Sequence, residues 1–189
     1  MEIKNYIEKY FQETGKVLET INRLKIAGII EILQQTRNNK GRLFILGVGG
    51  SAANASHAVN DFRKIAGIES YTPVDNVAEL TAWANDVGFD SIFVNWLKTS
   101  RLHRLDTIMV LSVGGGTETV SKNLVLAMKY AKEVGAGIVS IVSRDGGMAA
   151  RISNACVIVP VIEDKRITPH AEGWQGLLLH LIVNALSEL

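Results

Sequence analysis

Residues 42–51 read RLFILGVGGS, a short and largely apolar run that stops at Gly47 and passes directly into a glycine turn. An apolar run of this length, bounded by glycine, is the pattern of a buried strand. The same grammar returns at residues 107–116, TIMVLSVGGG, where a run over 107–112 ends in Gly114, Gly115 and Gly116. A helical pattern follows over about 121–134. Residues 137–142 and 155–161 read as two further buried strands with a short helical stretch between them, and a last helix is expected over about 171–189. Buried strands alternating with helices predict an α/β fold, a three-layer sandwich whose central parallel sheet is flanked by helices on both faces.

On the N-terminal side, apolar residues recur at helical spacing over 3–35, including Ile7, Phe11, Val17, Leu18, Ile21, Leu24, Ile29, Ile32 and Leu33. Two helices are expected there, broken near Gly15, and their apolar faces exceed what one thin sheet can cover, which suits oligomerisation. Between the two glycine-turn units, 69–71 suggests a strand, and 76–85 and 91–100 suggest helices. No repeat or low-complexity tract divides the chain. It reads as one domain over 1–189, with a helical segment over about 1–36 and an α/β core over about 41–189.

The chain holds 20 Lys plus Arg against 19 Asp plus Glu. That balance leaves no electrostatic footprint for nucleic acid or an anionic membrane. Apolar runs such as 108–113 and 156–162 fall far short of the roughly 20 residues a membrane-crossing helix needs. No export signal is visible in the charged, amphipathic start, so a soluble, cytoplasmic protein is expected. The lone Cys156 lies in an apolar run without a partner, which argues against a disulfide framework and for a buried, inert thiol.

In an open parallel sheet, ligands sit beyond the carboxyl ends of the strands, where glycine turns expose N–H groups and helix N-termini favour anions. The two turns here carry Gly47, Val48, Gly49, Gly50 and Ser51, then Ser112, Val113, Gly114, Gly115, Gly116 and Thr117, with Ser121 opening the next helix. Glycine permits close approach and Ser or Thr hydroxyls donate without adding charge, so phosphate is the natural guest. Either turn alone reads equally as a tight turn with a Ser or Thr cap. The first lacks the Lys of a nucleotide-hydrolysing P-loop, and Gly47, Gly49 and Ala52 fit only the looser dinucleotide fingerprint. Glu69, near the distance of the ribose-binding acid, opens its strand instead of ending it.

His57 and Asp61 are four apart on the helix that follows Ser51, and Glu172 and His180 are eight apart on the last helix. Each pair shares a helix face, and together they offer ligand types suited to a divalent metal such as Zn²⁺. Each pair also has a bland reading, as a surface ion pair or a satisfied core histidine. His103, Arg101 and Arg104 read as a solvated surface cluster, and His170 has only a weak claim on the site.

The stretch GVGGSAANASHAVND over 47–61 resembles the G-N-G-G-S loop and following helix of the phosphoheptose isomerases, within the SIS (sugar isomerase) superfamily. The resemblance continues through Ala84-Asn85-Asp86-Val87-Gly88-Phe89, the second glycine loop, the Arg144-Asp145-Gly146-Gly147 turn and the last helix with His180. It implies an SIS fold, flavodoxin-like or Rossmann-like, and reversible isomerisation of a sugar phosphate through an enediol, with sedoheptulose 7-phosphate and a heptose 7-phosphate as the pair. It further implies Zn²⁺ held by His57, Asp61, Glu172 and His180, with Asp61 and His180 as the acid/base pair. Substrate contacts fall on Gly49, Gly50, Ser51, Asn85, Asp86, Ser112, Gly114, Thr117, Ser121 and Glu172, in a homotetramer with sites at subunit interfaces.

Three positions depart from the family pattern. Asp61 stands where the family has Glu, Glu172 where many members have Gln, and Val48 where Asn is usual. The shorter carboxylate and the lost amide keep two other readings open: an isomerase of another phosphosugar, and a non-catalytic SIS module that binds a sugar phosphate or a protein.

Overall fold

The computed structural model describes residues 2–189; Met1, the first residue of the expected helical segment, lies outside the described residues. Five parallel strands form one sheet in the order β2-β1-β3-β4-β5. They are β1 (Leu43–Gly47), β2 (Ser70–Tyr71), β3 (Thr107–Leu111), β4 (Gly137–Val142) and β5 (Ala155–Ile158). Alternate residues of the central strands feed opposite layers, as the two-residue period of a strand requires. Leu43, Ile45, Met109 and Leu111 pack with the layer of α1 (Ile3–Thr20), α2 (Arg23–Asn38), α3 (Gly50–Lys64) and α8 (Ile167–Glu188). Phe44, Leu46, Ile108 and Val110 pack with α4 (Val77–Val87), α5 (Ile92–Thr99), α6 (Lys122–Val134) and α7 (Gly147–Ile152). The three-layer α/β sandwich expected from the sequence is the fold observed.

Among the boundaries that differ from expectation, two have a clear local reason. Gly15 lies inside α1, and the break falls at Ile21 and Asn22, where Ile21 turns extended and the Asn22 side chain accepts the Lys25 N–H at 3.2 Å. A mid-helix glycine costs about 1 kcal/mol, which the buried contacts of Glu13 and Val17 on either side of Gly15 override. The last helix begins at Ile167, four residues before its expected start, because Pro169 falls in the first turn, where an N–H is not needed. β5 ends at Ile158, three residues short of the expected run.

A buried ionic cluster fastens α1 to α8. Arg166 donates from Nε and Nη2 to the two oxygens of Glu13 at 2.7 and 2.6 Å, and His170 Nε2 lies 3.0 Å from Glu13 Oε2. Tyr10 stacks on the His170 ring with centroids 4.6 Å apart. The Arg166 guanidinium, with a smaller contribution from His170, holds the Glu13 carboxyl down at about 2 against its own burial. His170 is thus committed to helix docking. Burial pushes the half-buried Cys156 thiol up to about 11, which keeps it protonated at neutral pH. Among the described residues, no helix is long and apolar enough to cross a membrane.

Candidate functional site

The strand order reverses direction between β1 and β3, and the segments leaving their carboxyl ends open a crevice there. A cavity of about 560 Å³ occupies it, lined by Val48 and Ser51 after β1, by Ser112, Gly114, Thr117 and Ser121 after β3, and by Arg144 and Asp145 after β4. Thr168, in the first turn of α8, adds a fourth wall. Three helices therefore present their first turns to one space: α3 through Ser51, α6 through its N-cap Ser121 and α8 through Thr168. Their partial positive charges add at a common point.

The hydroxyls around this cavity are not equivalent. Ser51 Oγ donates to Gln175 Oε1 at 3.0 Å, and both residues are buried. Asn54 Nδ2 donates to the same oxygen at 3.2 Å, and Gln175 Nε2 donates to the Ile141 carbonyl at 3.4 Å. Gln175 was not singled out in the sequence; its position three residues after Glu172 on a largely apolar helix face is the signal that a buried amide needs partners. Ser112 Oγ instead accepts the Gly115 N–H at 3.1 Å, which leaves its own hydrogen to donate. Ser121 takes a left-handed backbone, φ 53°, and makes no side-chain cap. Thr117 Oγ1 accepts from the Thr119 and Val120 amides and closes its own exposed turn. Gly115 and Gly147 have positive φ and interlock, since a Cβ on either would collide with the carbonyl of Gly146 or Gly114.

Along α3 from Ser51, the second expected group assembles. Asp61 Oδ2 lies 3.4 Å from His57 Nε2 and 3.4 Å from His180 Nδ1, and the two imidazole Nε2 atoms are 3.4 Å apart. Asp61 is buried, whereas both histidines are exposed. The four-residue spacing of His57 and Asp61 puts both on the face of α3 that meets α8, which carries His180. One ligand atom from each of the three falls within 4.8 Å of the others. A tetrahedral ion with bonds of about 2.0–2.2 Å sets its ligands roughly 3.3–3.6 Å apart; the His57–Asp61 pair matches that spacing, whereas His180 meets Asp61 through Nδ1 and His57 through Nε2, so a single His180 nitrogen joins the group within the wider 4.8 Å span.

Glu172 does not join this group. Its carboxylate stands over Gly50, where any Cβ would strike it, at the start of α3. Asn54 Nδ2 donates to the Glu172 main-chain carbonyl at 2.9 Å, fixing the backbone there. Asn85 and Asp86, at the end of α4, are exposed, pair with one another at 2.9 Å and do not line the cavity. Gly49, with φ 65°, forms the turn into α3, a conformation only glycine takes without strain.

A family model described as SIS domain matches residues 6–143. The chain belongs to the SIS domain family. Among SIS relatives, phosphoheptose isomerase of Geotalea daltonii is 30% identical over 195 residues, spanning 99% of this chain and 95% of that protein. Phosphoheptose isomerase of Syntrophotalea carbinolica is also 30% identical, over 190 residues, spanning 96% and 92%. The solved structure of phosphoheptose isomerase GmhA from Neisseria gonorrhoeae superimposes with a TM-score of 0.86 over the whole of both chains at 24% identity, a likeness of fold.

Proposed function

We propose that this SIS protein is a phosphosugar aldose-ketose isomerase of the phosphoheptose isomerase kind, interconverting sedoheptulose 7-phosphate and a heptose 7-phosphate in the cytoplasm. The observation that carries the reading is the clustering of Asp61 between His57 and His180, on the same helix whose first turn lines a cavity suited to an anion. A metal-binding group and a phosphate-sized crevice joined by one helix fit a substrate with a phosphate at one end and a carbonyl at the other.

In the reaction, the cavity holds the phosphate through the Ser112 hydroxyl, the Ser121 turn and the free amides of the α3 and α6 first turns. That grip fixes the register of the carbon chain and supplies binding energy away from the reacting bonds. Asp61 and His180 form the acid/base pair: one removes the proton from the carbon beside the carbonyl, and the other protonates the carbonyl oxygen to give the enediol. Returning the proton to the neighbouring carbon, with loss of the other hydroxyl hydrogen, completes the aldose. His57, Asp61 and His180 would hold Zn²⁺, which supplies polarisation of the carbonyl and neutralises charge on its oxygen. Glu172 over Gly50 is an acceptor for sugar hydroxyls.

The assembly is a homotetramer with sites at subunit interfaces. Ile3, Ile7, Phe11 and Leu18 leave an exposed apolar stripe on α1, beside the face that docks on α8. α4 carries Asn85 and Asp86 and packs on its own chain only through the half-buried Leu80, Trp83 and Ala84, and Val77, Val87 and Phe89 are exposed on or beside it. A second copy that covers α4 brings these two polar residues to the cavity.

Metal analysis of the purified protein and a turnover screen over five- to seven-carbon ketose phosphates test the reading. Bound metal and preferred turnover of sedoheptulose 7-phosphate are expected. Tight binding of the sugar phosphate with no turnover and no metal uptake leaves a binding module in place of the enzyme.

A further inference from the structure

The residue at position 144 stands apart from the groups described so far. Arg144 is the sole cationic side chain lining the cavity, and no ion pair or side-chain hydrogen bond engages its guanidinium among the described residues. Lys122, the nearest cation in sequence to the second glycine turn, is paired with Asp90 at 3.1 Å. The one carboxylate of the lining, Asp145, accepts the Gly147 N–H at 3.2 Å and so is turned into its own loop.

The backbone at this position is held in an unfavourable region. Arg144 has φ 54°, one of four non-glycine residues with positive φ among the described residues, and Gly146 and Gly147, which follow Asp145, have positive φ as well. A left-handed backbone at a residue with a long side chain costs on the order of 1 kcal/mol and persists only where the surroundings enforce it. The surroundings here are the interlocked loops. The Ser143 N–H donates to the Val113 carbonyl at 3.0 Å, and the Met148 and Ala149 amides donate to Gly116 and Gly115. These bonds register the Arg144 turn against the second glycine turn, and the side chain lies over Gly114, whose missing Cβ would sit 3.9 Å from Arg144 Cδ.

We infer that Arg144 is a phosphate-binding residue of this cavity, supplying the one full positive charge that neutral hydroxyls and helix termini lack. The inference rests on the phosphosugar reading of the cavity. Guanidinium matches two phosphate oxygens with a planar pair of N–H donors, and such charge-assisted bonds are about twice as strong as neutral ones. With Asp145 folded back on Gly147, no carboxylate pairs with the guanidinium, so Arg144 favours a doubly charged monoester over neutral or singly charged ligands.

The test uses the full-length protein, titrated calorimetrically with inorganic phosphate and, separately, with sedoheptulose 7-phosphate. Arg144→Gly removes the guanidinium and also relieves the positive φ, so its thermal midpoint should equal or exceed that of the parent, which separates lost binding from lost folding. Affinity for both probes is expected to fall roughly 10- to 100-fold in Arg144→Gly, with Arg144→Lys between it and the parent. Raised salt should weaken the parent more than the glycine variant. Equal phosphate affinity in parent and Arg144→Gly overturns the role of Arg144 while leaving the cavity reading intact. Failure of the parent to bind either probe overturns both.

Discussion

The Ser51 hydroxyl and the Gln175 side chain are joined by a buried hydrogen bond of 3.0 Å that ties the first turn of α3 to the middle of α8. The hydrogen of Ser51 is committed to the protein interior, so the contribution of this residue to anion binding runs through its main-chain N–H. Ser112 differs, because its oxygen accepts from Gly115 and its hydrogen is unassigned. Ser51→Ala should therefore lower unfolding free energy by about 1 kcal/mol in urea titrations and change phosphosugar affinity little. Ser112→Ala should do the reverse, weakening phosphosugar binding with a small effect on the urea midpoint.

The three-membered group on α3 and α8 gives a sharper expectation. Asp61→Asn keeps the volume but removes the charge that sits 3.4 Å from each imidazole. Bound metal, measured by elemental analysis after dialysis, should fall by more than about 100-fold in affinity, and isomerisation by about 10²- to 10⁴-fold. His180→Ala should lose both as well. Asp61→Glu restores the longer reach of the family residue and should keep or raise the rate.

Acid sensitivity should be governed in part by Glu13. Its folded-state value of about 2 lies below the ordinary 4.5 of a glutamate. The stabilisation is thus complete above the unfolded value and is lost as pH falls from there through the folded one. Glu13→Gln should flatten that acid limb in urea midpoints taken between pH 5 and pH 2. At pH 7 the same variant should also be less stable, because Arg166 keeps only the longer 3.3 Å contact to Glu163 as its charged partner.

Assembly should respond to the outward face of α1. Phe11 is 68% exposed within the single chain, on the side away from the Glu13 cluster. Phe11→Glu should reduce the number of subunits seen by light scattering, with the circular dichroism spectrum retained. An unchanged tetramer would place the contact elsewhere.

Most of the architecture was legible because apolar run lengths and glycine stops report burial directly. β4 and the two glycine turns sit where their sequence pattern placed them. The His57 and Asp61 pair was legible for the same kind of reason, since a four-residue spacing on one helix fixes a shared face. Glu172 was not: an eight-residue spacing from His180 gives the face but not the height, and two turns of rise carry its carboxylate about 12 Å along the axis to Gly50. Gln175 and the Glu13 cluster escaped because their partners lie more than a hundred residues away in sequence. The fold creates those contacts, and no local period announces them.

The first turn of α8 serves two masters. Arg166 and His170 grip Glu13 of the N-terminal helix, while Thr168, between them in sequence, faces the cavity. In the proposed assembly, a neighbour resting on α1 would bear on the same turn that walls the cavity. Ligand occupancy and tightness of that assembly would then be mechanically linked across a span of five residues.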